Sequence, residues 1–237
     1  MTNDLKNRTN FITVLMLVIG VPVLCYLYFF IYRNDTFLKA PPIMGERKGT
    51  HIITRNNKEI LDTIYHTIPA FSFISQDGLP ISDNYYKDKI YVADFFFATC
   101  QSICPKMAQQ FNRLQHMLKD DIKFHLLSHT VNPANDSVPV LRHYADSFHV
   151  DTSKWQLVTG DKEAIYKIAR EGYLLPVADG DGGKDDFIHS EKAVLIDEKG
   201  RIRGFYDATD SIEIKRLADD IVLLHLQTKK LKDKGLF

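Results

Sequence analysis

The chain is short of several things, and each shortage excludes a class of protein. Its 30 Lys and Arg balance 30 Asp and Glu over 237 residues, so it lacks the basic stripe that nucleic-acid binding needs. Only three cysteines occur, too few for a disulfide-stapled scaffold. What remains is 45% apolar and 25% charged residues, enough for one globular domain with a core of normal size.

Long apolar runs are also scarce. Phe11 to Tyr32 is 22 residues without a charge, long enough to cross a bilayer as a helix. A cleaved signal would have a shorter apolar core and a small-residue cleavage site, whereas Phe29, Phe30, Ile31 and Tyr32 close this one, so the run reads as an uncleaved anchor. Lys6 and Arg8 on one side and Arg33, Lys39, Arg47 and Lys48 on the other leave its orientation unset by charge. Cys25 lies inside the run and reads as packing against lipid, with lipidation as the functional alternative. The expected organisation is a tail over 1–10, the anchor over 11–32, a linker over 33–58 rich in Pro, Gly and mixed charge, and one domain over 59–237.

Within the domain, Ala70 to Ile81 alternates around Asp77-Gly78, which predicts a hairpin. Lys89 to Ala98 reads as a buried strand, Pro105 to Lys119 as a helix with Met107, Phe111, Leu114 and Leu118 at helical spacing, and Ile122 to Val131 as a strand. Helices are predicted over Val138 to Phe148 and Lys162 to Arg170, with a short strand over Trp155 to Thr159 between them. Ala193 to Asp197 pairs with Arg201 to Tyr206 across Glu198-Lys199-Gly200, and Ser211 opens a last helix to about Lys230.

Cys100 and Cys104 flank Gln101-Ser102-Ile103 between the buried strand and Pro105, which suits a first helical turn. A helix start presents unpaired N–H groups and a positive dipole end, which favour thiolate over thiol. One soft cation or one disulfide can be held there. The element order is that of a thioredoxin-like α/β domain, with a central mixed sheet flanked by helices. In that architecture the loop before the last hairpin faces the cysteine loop, and here it carries Asp186-Phe187-Ile188-His189-Ser190. His189 is therefore expected to approach both sulfurs.

Several stretches together resemble the SCO/SenC family of copper-binding cytochrome c oxidase assembly proteins. FFFATCQSICP over Phe95 to Pro105 is similar to the family's apolar strand leading to Cys-x3-Cys-Pro, and SHTVNPAND over Ser128 to Asp136 to its Pro-x-x-Asp loop. His189, in DFIHSEKAVLIDEKGRIRGFYD, stands where the family has its metal-binding histidine. The likeness spans about Ala70 to Leu226. Gln101-Ser102-Ile103 stands where many members begin this spacer with Pro-Asp, which bears on affinity and potential more than on the ligand set.

The resemblance implies copper held by Cys100, Cys104 and His189 and delivered to the copper-bearing subunit of cytochrome c oxidase, with other copper chaperones or thiol reductases as further partners. It also implies a domain facing the periplasm or an equivalent compartment. Thiolates are soft ligands that favour Cu(I), and imidazole suits copper in either oxidation state. Zinc fits less well, because no fourth Cys or His falls in an obvious place.

The alternative is a membrane-tethered thiol-disulfide oxidoreductase using Cys100 and Cys104 as a redox pair. Standard members use Cys-x2-Cys and a proline in the loop where His189 stands, and no proline lies between Gly180 and Phe237. A peroxiredoxin-like site would need Thr where Phe97 stands, and an interaction domain with inert cysteines is a third class.

Other residues have plainer readings. Met107 reads as core. His129 reads as a surface histidine, with an extra ligand or proton partner as its functional alternative. Asp136 reads as a turn residue bonding within its own loop. The Asp179 to Asp186 run superficially resembles a calcium loop, but Gly183 and Ser190 occupy the fifth and twelfth positions, where oxygen donors are needed. It reads as an acidic loop gating His189.

Overall fold

The computed structural model describes residues 2–36, 39–55, 58–118, 122–175 and 190–233. The chain divides into two units, Met1–Ala40 and Pro41–Phe237. The first holds helix α1, Thr2–Thr36. Thr13–Phe30, with mean hydropathy 2.3, is a candidate membrane span, about 27 Å long at the rise of an α-helix.

The second unit is built on a seven-stranded mixed sheet. Its strands are β3 (Ser72–Ser75), β4 (Pro80–Ser82), β5 (Ile90–Phe96), β6 (Phe124–Thr130), β7 (Trp155–Thr159), β8 (Lys192–Ile196) and β9 (Ile202–Asp207). They lie in the order β4-β3-β7-β6-β5-β8-β9. β6 runs parallel to both β5 and β7, while β8 runs antiparallel to β5. Every residue of β5 is buried, as expected of a strand with neighbours on both edges and helices over both faces.

The turns follow their sequence signals. Gly78 takes φ +75° between β3 and β4, and Gly200 takes φ +71° between β8 and β9, conformations that disfavour a β-carbon. α3 (Ile103–Met117) buries Met107, Phe111 and Leu114, and the Phe111 ring meets Trp155 edge-on at 5.7 Å. α4 (Val138–Ser147) leans on the same face through Tyr144, whose ring centroid lies 4.9 Å from that of Phe96. α6 (Ser211–Asp233) packs against α3, and the Asp210 carboxylate accepts from the Ile212 N–H at 2.8 Å at its start.

The opposite face is covered by the short α2 (Asp83–Tyr86) and by α5 (Lys162–Lys167). Phe71, Phe73, Tyr86, Ile165, Ile168 and Tyr173 join Ala93, Phe95 and Leu127 there in one buried cluster. α5 continues as a π-helical turn, Ile168–Gly172, before Leu174 at φ +53°. The helix predicted over Lys162 to Arg170 is therefore half α and half π.

Two sequence expectations give way here. The segment read as linker over 33–58 contains β1 (Arg47–Arg55), which pairs antiparallel with β2 (Lys58–Tyr65) in a separate two-stranded sheet. Gly49 and the charged ends mask the Thr/Ile character of β1 in sequence. The start of the unit is also fastened earlier than expected. Arg203 donates from Nε to the Pro41 carbonyl at 2.9 Å and from Nη1 to the Asp197 carboxylate at 2.9 Å, and the Met44 N–H reaches the Ile202 carbonyl at 2.8 Å.

The second concerns His129, which is 0% exposed rather than on the surface. It lies in register with Phe95, with ring centroids 4.9 Å from Phe95, 5.4 Å from Phe73 and 5.5 Å from Tyr173. Burial depresses its pKa to about 3, so the folded state holds it neutral while the unfolded chain titrates near 6.5. The unfolded state thus binds the extra proton between those values, and this group withdraws stability as pH falls through that window. Buried Asp94, raised to about 7 by burial, works in the opposite sense, so the difference between variants is the informative quantity. His129→Phe should gain stability over wild type by roughly 1.4 kcal/mol per pH unit from pH 6.5 to 4, as checked by urea unfolding of the full chain in mild detergent. A pH-independent difference would contradict this.

Candidate functional site

β5 ends at Phe96 and the chain turns through Phe97 to Ser102 into α3. The Cys100 N–H closes this turn on the Phe97 carbonyl at 3.2 Å. The Cys100 sulfur then accepts from the Cys104 N–H at 3.5 Å and lies 3.6 Å from the Ser102 hydroxyl. Both thiols are buried, and they are not bonded to each other. The helix-start donors expected from sequence thus converge on one sulfur.

The two thiols differ accordingly. Burial pushes the Cys100 thiol up, but the Cys104 and Ser102 N–H groups pull harder in the other direction and leave it at about 7. For Cys104, burial dominates, and the charges of Cys100 and Asp94 add to it, raising the thiol to about 12. The expectation of favoured thiolate holds for Cys100 alone, because Cys104, in the first turn of α3, is buried against the core.

Asp94 is a functional candidate that sequence reasoning passed over. It is 3% exposed, and its Oδ1 accepts from the Ser128 hydroxyl, which in turn accepts from Trp155 Nε1 at 2.8 Å. Its signal was present, as a lone charge inside an otherwise apolar strand. Tyr144 was also missed: its hydroxyl donates to the Cys104 carbonyl at 3.4 Å and anchors α4 to the first turn of α3.

The remaining predicted residues separate. Successive side chains on β6 alternate between faces. Ser128 points with Asp94 and Trp155 toward α3, so His129 points away from the cysteines into the aromatic cluster. It sits on the wrong face for a ligand. Met107 is 1% exposed and is core. Asp136 does not bond within its own loop only; its Oδ2 accepts from the Ala98 N–H at 3.1 Å, across in the cysteine loop. His189 and the Asp179 to Asp186 run lie outside the described residues. Among the described residues no three His, Cys, Asp or Glu side chains form a group able to hold a metal.

A parallel β5-β6-β7 core, a cysteine pair where β5 enters a helix and an antiparallel β8-β9 hairpin define a thioredoxin-like domain of the Cys-x3-Cys type. The SCO1/SenC family model matches residues 62–224, and the chain belongs to that family. It is 26% identical over 166 residues to the SCO1 protein homolog of Bacillus subtilis, covering 69% of this chain and 86% of that one. A SCO1/SenC family lipoprotein from Bacillus anthracis superposes with TM-score 0.61 at 30% identity, over 67% of this chain and 95% of the other. BsSco, a member of the Sco family of cytochrome c oxidase assembly proteins with a disulfide switch, superposes with TM-score 0.59 at 26% identity, over 68% and 94%. The copper-bound structure of ScoI from Bradyrhizobium japonicum shares the fold, with TM-score 0.53 at 22% identity over 67% and 99%.

The split between the thiols sets an order of reactivity, because the thiolate is the nucleophile. Limited iodoacetamide treatment of the reduced chain at pH 7 should place most of the domain's label on Cys100 before Cys104 reacts, as peptide mass mapping will show. Equal labelling would refute the geometry of the α3 start.

Proposed function

We propose that this chain is a membrane-anchored copper chaperone. Cys100, Cys104 and His189 bind one copper ion, and the domain delivers it to the binuclear copper site of cytochrome c oxidase on the non-cytoplasmic face of a respiratory membrane. The observation that carries this reading is the pair of unbonded sulfurs at the start of α3, one of them held near its thiolate form. Soft sulfur donors of that kind suit Cu(I) above other biological cations.

The position of the third donor is supported by topology. β8 runs antiparallel to β5, with Val194 beside Ala93, so the chain before β8 extends toward the edge where β5 passes into the cysteine loop. Ser190 is buried there, and its hydroxyl accepts from the Lys192 N–H at 3.2 Å. His189 is the residue before it. Two sulfurs and one imidazole leave a coordination position open, through which an acceptor ligand can enter before a donor leaves. Relatives named as oxidase assembly proteins and copper-bound members of the fold agree with this assignment.

The same low and high thiol pair also suits thiol exchange. Cys100 thiolate attacks a partner disulfide and forms a mixed disulfide. Cys104, losing its proton, then displaces the partner's reduced sulfur and leaves the Cys100–Cys104 disulfide. Metal analysis of the full chain, purified reduced in detergent, separates the two. Wild type should retain about one Cu(I) per chain, and Cys100→Ala, Cys104→Ala and His189→Ala should each lose most of it. Full copper retention by His189→Ala would overturn the three-ligand site, and thiol exchange that survives in that variant without copper binding by wild type would favour the oxidoreductase.

A further inference from the structure

Asp136 lies in the loop between β6 and α4, and it is 0% exposed. A carboxyl group enclosed so completely must be matched by donors or it destabilises the fold. Its Oδ2 has two: the Thr130 hydroxyl and, at 3.1 Å, the Ala98 N–H. The Thr130 oxygen accepts in turn from the Asn132 N–H at 3.0 Å, and the Asp136 N–H donates to the Asn132 carbonyl at 2.9 Å. Asp136 Oδ1 is buried with no partner.

The place of this carboxylate matters more than its bond count. Thr130 and Phe96 are register partners at the ends of β6 and β5. The pairing runs one residue further, with the Val131 N–H reaching the Phe96 carbonyl at 2.8 Å, so the loop that carries Asp136 leaves the sheet beside the cysteine loop. Ala98 has left the sheet ladder and stands two residues before Cys100. The turn between them is closed by the Cys100 N–H on the Phe97 carbonyl, so fixing Ala98 fixes where the Cys100 sulfur meets the N–H of Cys104.

We propose that Asp136 is the positioning residue for Cys100: by holding the Ala98 N–H it sets the sulfur against the α3 donors, and so governs its nucleophilicity and its hold on a soft cation. The cation part of this inference rests on the copper reading above; the nucleophilicity part does not. Asp136 itself touches neither sulfur nor metal.

The test uses the full chain, reduced and metal-free in detergent, with Asp136→Ala, Asp136→Asn and Tyr166→Phe. Two quantities are read: the Cys100 alkylation rate at pH 7, and Cu(I) affinity by competition with a colorimetric chelator. Asp136→Ala should slow alkylation about tenfold and weaken Cu(I) binding by roughly 10- to 100-fold. Asp136→Asn keeps an oxygen for the Ala98 N–H while removing the charge, and should stay near the wild-type rate.

Tyr166 donates to the Val131 carbonyl at 3.2 Å. Tyr166→Phe therefore loosens the same loop without touching Ala98, and should lower thermal stability with both readings unchanged. A wild-type rate in Asp136→Ala overturns the proposal, as does an equal change in the Ala and Asn variants, which would make charge rather than position the cause. If Asp136→Ala does not fold, Asp136→Ser replaces it, since the shorter side chain keeps a polar group in the loop but falls short of the Ala98 N–H that the carboxylate holds. Slower alkylation is expected there too, and a wild-type rate again overturns the proposal. Failure of the wild-type chain to take up Cu(I) would sink the copper reading alone, because the alkylation comparison still decides the role of Asp136.

Discussion

A sulfur anion inside a protein needs donors, and the first turn of α3 supplies them. The Cys104 N–H directed at the Cys100 sulfur is the contact on which the chemistry of this domain depends. It exists only because β5, buried along its whole length, delivers the chain to a helix start at a fixed height above the sheet. The neighbouring elements hold that junction in place. Tyr144 ties α4 to the Cys104 carbonyl, and Asp136 ties the β6–α4 loop to Ala98.

The two faces of the sheet treat buried polar groups differently, and the contrast explains which of them bear on the site. On the α3 face, Asp94 is matched by Ser128 and lies close enough for its charge to raise the Cys104 thiol. On the other face His129 is surrounded by the rings of Phe71, Phe73, Phe95 and Tyr173. Enclosure of that kind keeps an imidazole neutral and uncoupled from chemistry one layer away.

The elements were largely legible because their periodicities were strong. The continuous apolar run of β5, the helical spacing of Met107, Phe111 and Leu114, and the glycine turns at Gly78 and Gly200 each point to one structure. Strand β1 was not legible, because its Thr and Ile residues are interrupted by Gly49 and bounded by Arg47, Lys48 and Arg55. The site was legible at the level of the cysteine motif. His129 was misjudged because a histidine at a strand end carries no mark of which face it takes, and the reach of Asp136 to Ala98 joins residues 38 positions apart.

Local periodicity and short spacings were enough for the apolar N-terminal helix, the strand-to-helix setting of Cys100 and Cys104, and the family. Folding was needed to separate a low Cys100 pKa from a high one at Cys104, to bring the charge of Asp94 to bear on Cys104, and to send Asp136 rather than His129 to the cysteine loop. Those outcomes turn on which face of a strand a side chain takes and on which side of the first helical turn meets the core. Neither is encoded until the strands have paired.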